Sequence, residues 1–295
     1  MRKFLLSDKK NKKALAPLSE EDGGQVVVAA SEEKPATEKK RKNLTWVHFA
    51  WSASVAGMVL VFALQSLYPD YIGAFSNITT PIIAAGAFVA SLQCLRKYGT
   101  NFRGRFDRVW IYFAIGMVTW TCAETIWAIY YFFLNVPIPY PSVADFFYTG
   151  AYIPLTLAVL TYFAAFRAGM TRRGYAISFL CIAVAASLVI SFILPVEFAK
   201  TGEPAVQVVA DVIYPILDLV LFSATIFSVV LFAKGKLGVW WFILAAGFIF
   251  DILGDEIFLY LSSKGTYYNG SFDDLLYDIA YFLFILAFYS HKRQL

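Results

Sequence analysis

Fourteen carboxylate side chains lie beyond residue 44 of this 295-residue chain, and thirteen of them avoid the segment ends where basic residues gather; Asp107 is the exception. Glu124, Asp211, Asp218, Asp251, Asp255, Glu256 and Asp278 fall inside long apolar runs, and Asp145 and Asp274 stand near the starts of two more. Asp251 with Asp255, and Asp274 with Asp278, are spaced i, i+4 and share a helical face; Asp211 and Asp218 lie two turns apart. A charge at the centre of a bilayer costs at least about 2.5–3.5 kcal/mol, so such groups turn towards a helix-bundle interior or a water-filled cavity. No Lys or Arg stands at that depth to neutralise them. They must be protonated, or they must share a cation. Candidate ligand- or cation-binding residues are therefore Glu124, Asp145, Asp218, Asp251, Asp255 and Asp278. Glu124 and Asp255 are the pair expected for a divalent cation, and Tyr130, Tyr148, Tyr214, Tyr260 and Tyr277 stand near as hydrogen-bond donors. Packing between membrane helices is the competing use of any one of these acids.

The elements that position them follow from composition. With 59% hydrophobic and 16% charged residues and 18 aromatics per hundred, the chain belongs in a membrane. Residues 1–44 hold 11 of the 25 Lys and Arg and 7 of the 21 Asp and Glu, and read as a disordered, basic cytoplasmic tail ending in Glu38-Lys39-Lys40-Arg41-Lys42. Eight apolar segments follow, at about 46–68, 79–95, 108–133, 144–166, 174–195, 208–233, 238–262 and 273–290, each near the length needed to cross a hydrocarbon core. Of the 14 Lys and Arg outside the tail, 12 fall at one set of ends, with Lys200 and Lys264 elsewhere. By the positive-inside rule both termini face the cytoplasm of a cell-membrane protein, and the acids line the outer half. The expected fold is an all-α, polytopic membrane bundle over residues 45–295.

Stacked four over four, the segments repeat. Trp110, Gly116, Glu124, Ile126 and Trp127 align with Trp241, Gly247, Asp255, Ile257 and Phe258. Asp145, Phe147, Tyr148, Ala151 and Tyr152 align with Asp274, Leu276, Tyr277, Ala280 and Tyr281, and Pro81 meets Pro215. Two parallel halves, about 45–168 and 169–295, are expected.

Much else is excluded. Cys94, Cys122 and Cys181 are an odd set in or beside apolar runs, which rules out a disulfide scaffold. The tail has no apolar h-region of a signal peptide. His48 and His291 stand at the basic edge and are expected to be interfacial. No nucleophile elbow, His-Glu-x-x-His pair or Walker loop occurs, and no nucleic-acid partner is indicated. Ser142 is an expected N-cap, with Asp145 behind it.

The stretch Pro139-Tyr140-Pro141-Ser142-Val143-Ala144-Asp145-Phe146-Phe147-Tyr148, preceded by Glu124 and Trp127, resembles eight-helix membrane domains that precede diguanylate cyclase or histidine kinase modules in prokaryotic signalling proteins. That resemblance implies a sensor, and with no output module before Leu295 it implies a separate cytoplasmic partner reached through the basic tail. More remotely, Gly247-Phe248-Ile249-Phe250-Asp251-Ile252-Leu253-Gly254-Asp255 is similar to the Gly-Asp motifs of lysoplasmalogenase-like membrane hydrolases, which implies Glu124 and Asp255 as an acid and base; the His expected after such a motif is replaced by Tyr281 nearby. The expected function is a membrane protein that binds a cation or small ligand in an outward-facing acidic cavity, in a sensory or scaffolding role. A proton-coupled transporter and a lipid hydrolase are the alternatives, and an enzyme is the less favoured class.

Overall fold

A computed structural model describes residues 34–100, 104–134, 140–193, 204–233, 235 and 238–294. Among the described residues eight α-helices follow one another: α1 (Lys34–Ala63), α2 (Pro69–Tyr98), α3 (Arg105–Ile129), α4 (Val143–Phe166), α5 (Arg172–Leu188), α6 (Ala205–Phe232), α7 (Gly238–Ser263) and α8 (Phe272–Gln294). Single π-turns, Tyr130–Leu134 and Val189–Ile193, extend α3 and α5. No strand occurs among the described residues. Five helical stretches are long and apolar enough to cross a membrane: Pro69–Tyr98, Arg105–Leu134, Val143–Gly169, Arg172–Ser191 and Ala205–Phe232. The chain is thus an all-helical, multi-pass membrane protein. Its exterior agrees, since Phe133, Phe146, Ile153, Leu180 and Val209 stand more than half exposed where lipid tails replace water.

Two boundaries differ from expectation. Residues 69–78, read as a loop, are nearly the first three turns of α2. Pro69 occupies the first turn, where its missing N–H costs nothing, and Asp70 complements the helix dipole there. The helix α1 begins at Lys34, inside the stretch expected to be disordered, because the Glu- and Lys-rich run before the apolar segment suits a helix as well as a coil. The rest of that tail, residues 1–33, lies outside the described residues.

From Val47 onward the chain forms one compact unit. Within it α2 packs on α3 and α8, α3 on α4, α4 on α6, α6 on α5 and α7, and α7 on α8. In α1, Trp51 donates its indole N–H to the Phe282 carbonyl (2.8 Å), and Phe62 meets Phe75 edge to face. Between helices in lipid, close approach does the work that water exclusion does elsewhere, and it is bought with small residues. A Cβ on Gly116 would stand 2.4 Å from Leu155, and one on Gly247 would stand 2.5 Å from Phe284. Gly116→Ala and Gly247→Ala should each lower the thermal midpoint of detergent-purified protein, at a cost of about 1–3 kcal/mol. A neutral outcome at both would mean that the α3–α4 and α7–α8 contacts are looser than these distances.

At the basic end, where Arg96, Lys97, Arg105, Arg108, Arg167, Lys292 and Arg293 gather, aromatic rings fill the core. Trp110, Trp240, Trp241 and Tyr162 are fully buried there, and Phe232 stacks on Trp241 at 5.6 Å. His291 sits among them rather than at an interface. It is completely buried, 4.4 Å from the Trp240 ring and 4.7 Å from Trp110, with Nε2 3.0 Å from the Tyr98 hydroxyl. The last turn of α8 folds over the aromatic floor, which takes the imidazole out of solvent. Cys94, Cys122 and Cys181 are free thiols.

Candidate functional site

The acidic end is built by helix starts. In α4, Ser142 caps the helix as its sequence predicts: its Oγ accepts from Ala144 N–H (3.1 Å), and the Asp145 carboxylate accepts from Ser142 N–H (2.6 Å) and Oγ–H (2.8 Å). The start of α8 is organised alike. Asp274 accepts from Gly270 N–H (2.7 Å) and from the Ser76 hydroxyl (2.7 Å). Gly270 has φ +92°, and a Cβ there would lie 2.8 Å from Ile72, so this turn admits only glycine. Asp145 and Asp274 are thereby fixed facing inward, both at least nine-tenths buried. Tyr214 of α6 adds a third donor to Asp145 (2.8 Å).

One to two turns deeper stand Glu124 of α3 and Asp255 of α7. Glu124 accepts hydrogen bonds from Tyr281 (2.8 Å) and Tyr148. Asp255 accepts from Tyr277 (2.7 Å) and lies 2.8 Å from the Tyr152 hydroxyl. The same hydroxyl is 2.5 Å from Asp218 of α6. One phenolic proton serves only one of these two carboxyls, so the other needs a proton of its own or a cation.

A half-open cavity of about 60 Å³ lies among these helix ends. Glu124, Asp145, Asp255 and Asp274 give it four carboxyls; Tyr148, Tyr214, Tyr267, Tyr277, Trp127 and Phe258 give it aromatic walls, and among the described residues neither Lys nor Arg lines it. Trp127 and Phe258 meet edge to face at 5.9 Å across its mouth, and Phe258 meets Tyr267 at 4.8 Å. Beyond them a vestibule is lined by Tyr140, Gln207, Asp211, Ser262 and Asn269. A smaller chamber adjoins the cavity; it shares Glu124, Tyr148, Tyr214, Asp255 and Tyr277 with the larger one and adds Trp120, Tyr152, Asp251 and Tyr281.

Of the six acids singled out from the sequence, Glu124, Asp145, Asp251 and Asp255 line this connected space, and Asp218 joins it through Tyr152. Asp278 does not. It is wholly buried against α2, where the neighbouring Thr80 spends its hydroxyl on the Ser76 carbonyl (3.0 Å), so that both Asp278 oxygens lack a hydrogen-bond partner. The i, i+4 spacing put Asp278 on the face of Asp274, but the helix there leans on α2 rather than the cavity. Asp274 itself was missed, although its alignment with Asp145 pointed to it. Tyr152 and Tyr281 were missed as donors for the same reason.

The two sequons are structural. Asn77 is 6% exposed within α2 and donates to the Gly73 carbonyl (2.8 Å) and to Asn269 Oδ1 (3.1 Å), which also accepts from Trp127 (3.0 Å). Among the described residues no group of three or more His, Cys, Asp or Glu is arranged to hold a metal ion. Glu124 and Asp255, the pair expected for a divalent cation, each have two tyrosine hydroxyls as neighbours instead. The fold and the site therefore define a helical membrane protein with an acidic, tyrosine-lined cavity at one end. No protein-family profile, curated protein or solved structure matches the chain.

Proposed function

We propose that this chain crosses the cell membrane eight times as two parallel four-helix halves, with both termini in the cytoplasm, and that its acidic cavity takes a small organic cation from outside in a sensory role. The topology is supported by the basic residues at one end of the bundle. The two halves are supported by packing and by hydrogen bonds. The contacts α2–α3, α3–α4 and α4–α6 correspond, half for half, to α6–α7, α7–α8 and α8–α2. Glu124 is bonded by Tyr148 of its own half and Tyr281 of the other; Asp255 has Tyr277 of its own half and Tyr152 of the other. Gly116 against Leu155 matches Gly247 against Phe284. Such reciprocal contacts are what a two-fold axis along the membrane normal produces.

The observation that carries the function is a cavity with four carboxyls, six aromatic rings and, among the described residues, no basic side chain. Aromatic faces and carboxylates attract the same guest, a desolvated organic ammonium. Sensing is favoured over carriage because the inner chamber ends on packed rings: Trp120 meets Tyr281 at 6.2 Å and Phe284 at 5.9 Å, and Phe248 meets Phe284 at 5.0 Å. The resemblance of residues 139–148 to sensor membrane domains points the same way, with a cytoplasmic protein partner to read the bound state.

The test is the thermal midpoint of detergent-purified protein in n-butylammonium or tetramethylammonium chloride against sodium chloride at equal ionic strength. A guest at a hundred times its Kd adds about 2.7 kcal/mol to the folded state, a rise of several degrees. Glu124→Gln with Asp255→Asn should abolish that rise. An equal midpoint in all three salts would overturn the reading.

A further inference from the structure

The inner chamber asks for a cation more sharply than the outer cavity does. Asp251 is 4% exposed and lines it, and Asp251 Oδ2 has no hydrogen-bond partner. Asp218 is 2% exposed, and its Oδ2 is equally unpartnered, while its Oδ1 competes with Asp255 for the single proton of Tyr152. Leaving a buried polar atom unserved costs about 1–3 kcal/mol, and more for a charged one. Two such acids, Asp251 lining the small chamber and Asp218 joined to it through Tyr152, therefore make a strong demand for donors. The free space there accepts one water-sized group. A metal ion requires oxygens converging at 2.0–2.6 Å, and no trio of ligands among the described residues does so. A primary ammonium is water-sized, carries three N–H donors, and reaches carboxylates at about 2.7–2.9 Å.

The rest of the cavity bears on what that ammonium is attached to. The inner chamber and the outer one share Glu124 and Asp255 as lining residues, and the outer one holds a second set of carboxyls, Asp145 and Asp274. Along α7 the rise from Asp251 to Asp255 is about 6 Å, and along α4 the rise from Asp145 to Tyr152 is about 10 Å. Two negative sites thus lie in adjoining chambers, with aromatic walls between them that suit a methylene chain.

We propose that the ligand of this cavity is a linear primary diamine, with one ammonium in the inner chamber against Asp251 and Asp255 and the other between Asp145 and Asp274. This rests on the cavity's being a site for organic cations, and the experiment separates the two ideas. The natural full-length protein in detergent is titrated with n-butylamine, with tetramethylammonium, and with α,ω-diamines of three to eight carbons, read by calorimetry and thermal midpoint. Diamines should bind at least tenfold tighter than the monoamine, with an optimum length within the series, and tetramethylammonium, which has no N–H, should bind no better than the monoamine. Asp251→Asn should lower the affinity of the best diamine at least tenfold. If diamines and monoamine bind equally, the diamine is refuted and the organic-cation site stands. If none binds, both fall. Should the variant fail to fold, the length series on the natural chain still decides.

Discussion

Trp120→Ala should be the most destabilising single truncation in the acidic half of the bundle. Trp120 of α3 is 2% exposed and packs against α4, α7 and α8, with its ring 6.0 Å from Tyr152, 6.5 Å from Phe248, 6.2 Å from Tyr281 and 5.9 Å from Phe284. Two of those neighbours are the tyrosines that reach Asp255 and Glu124. Removing the indole takes away their backing and leaves a void, at a cost of about 3–5 kcal/mol, enough to abolish much of the folded yield. Trp120→Phe keeps a ring in place and should cost far less. The measurement is the thermal midpoint followed by helical circular dichroism, with size-exclusion profiles to score folded material. A midpoint for the alanine variant within a degree or two of the natural one would mean that these helices are held elsewhere, at the aromatic floor of the basic end. In material that does fold, the chamber lined by Trp120 should enlarge and admit bulkier ammonium ions such as benzylammonium.

The all-helical membrane bundle was legible because lipid imposes two blunt demands, a length and an apolar surface, and five helical stretches meet both. Helix boundaries were less so. Polar and small residues between Pro69 and Ile78 read as a loop in composition, yet Ser76 and Asn77 are there to bond Asp274 and Asn269 from a helix. Hydropathy cannot tell a polar loop from a helical turn that faces a polar cavity. The site was half legible. Five of six acids were found because a carboxylate in an apolar segment stands out against its surroundings. Of their tyrosine partners, Tyr214 and Tyr277 were named from the sequence and Tyr152 and Tyr281 were not, since 18 tyrosines in so aromatic a chain offer little contrast. The internal alignment carried the missing information: applied to Asp145, it gives Asp274, and applied to Tyr152, it gives Tyr281. His291 shows the opposite failure, where position at a segment's end suggested an interface and packing against Trp110 and Trp240 decided otherwise.

Tyr152→Phe should cost clearly more than Tyr281→Phe, although the two residues occupy aligned positions. The difference lies in what each hydroxyl serves. Tyr281 bonds Glu124, which keeps Tyr148 when Tyr281 loses its oxygen. Tyr152 stands between Asp218 and Asp255, and Asp255 keeps Tyr277, but Asp218 is left with neither oxygen partnered. A buried acid stranded in this way costs about 1–3 kcal/mol, whereas the Glu124 loss is one bond of two, about 1 kcal/mol. Deleting both partners of a buried hydrogen bond is cheaper than deleting one, so Tyr152→Phe combined with Asp218→Ala should recover most of the loss. Alanine is the residue to use because Ala84, three residues after Pro81, aligns with Asp218, three residues after Pro215, and is itself fully packed. Thermal midpoints of the two single variants and the double variant give the coupling directly. If Tyr152→Phe is no worse than Tyr281→Phe and Asp218→Ala brings no recovery, then Asp218 is served by water or a cation already in place. The inner chamber would then be occupied in the resting protein, with Tyr152 as a wall of the chamber and no longer the donor that holds its acids.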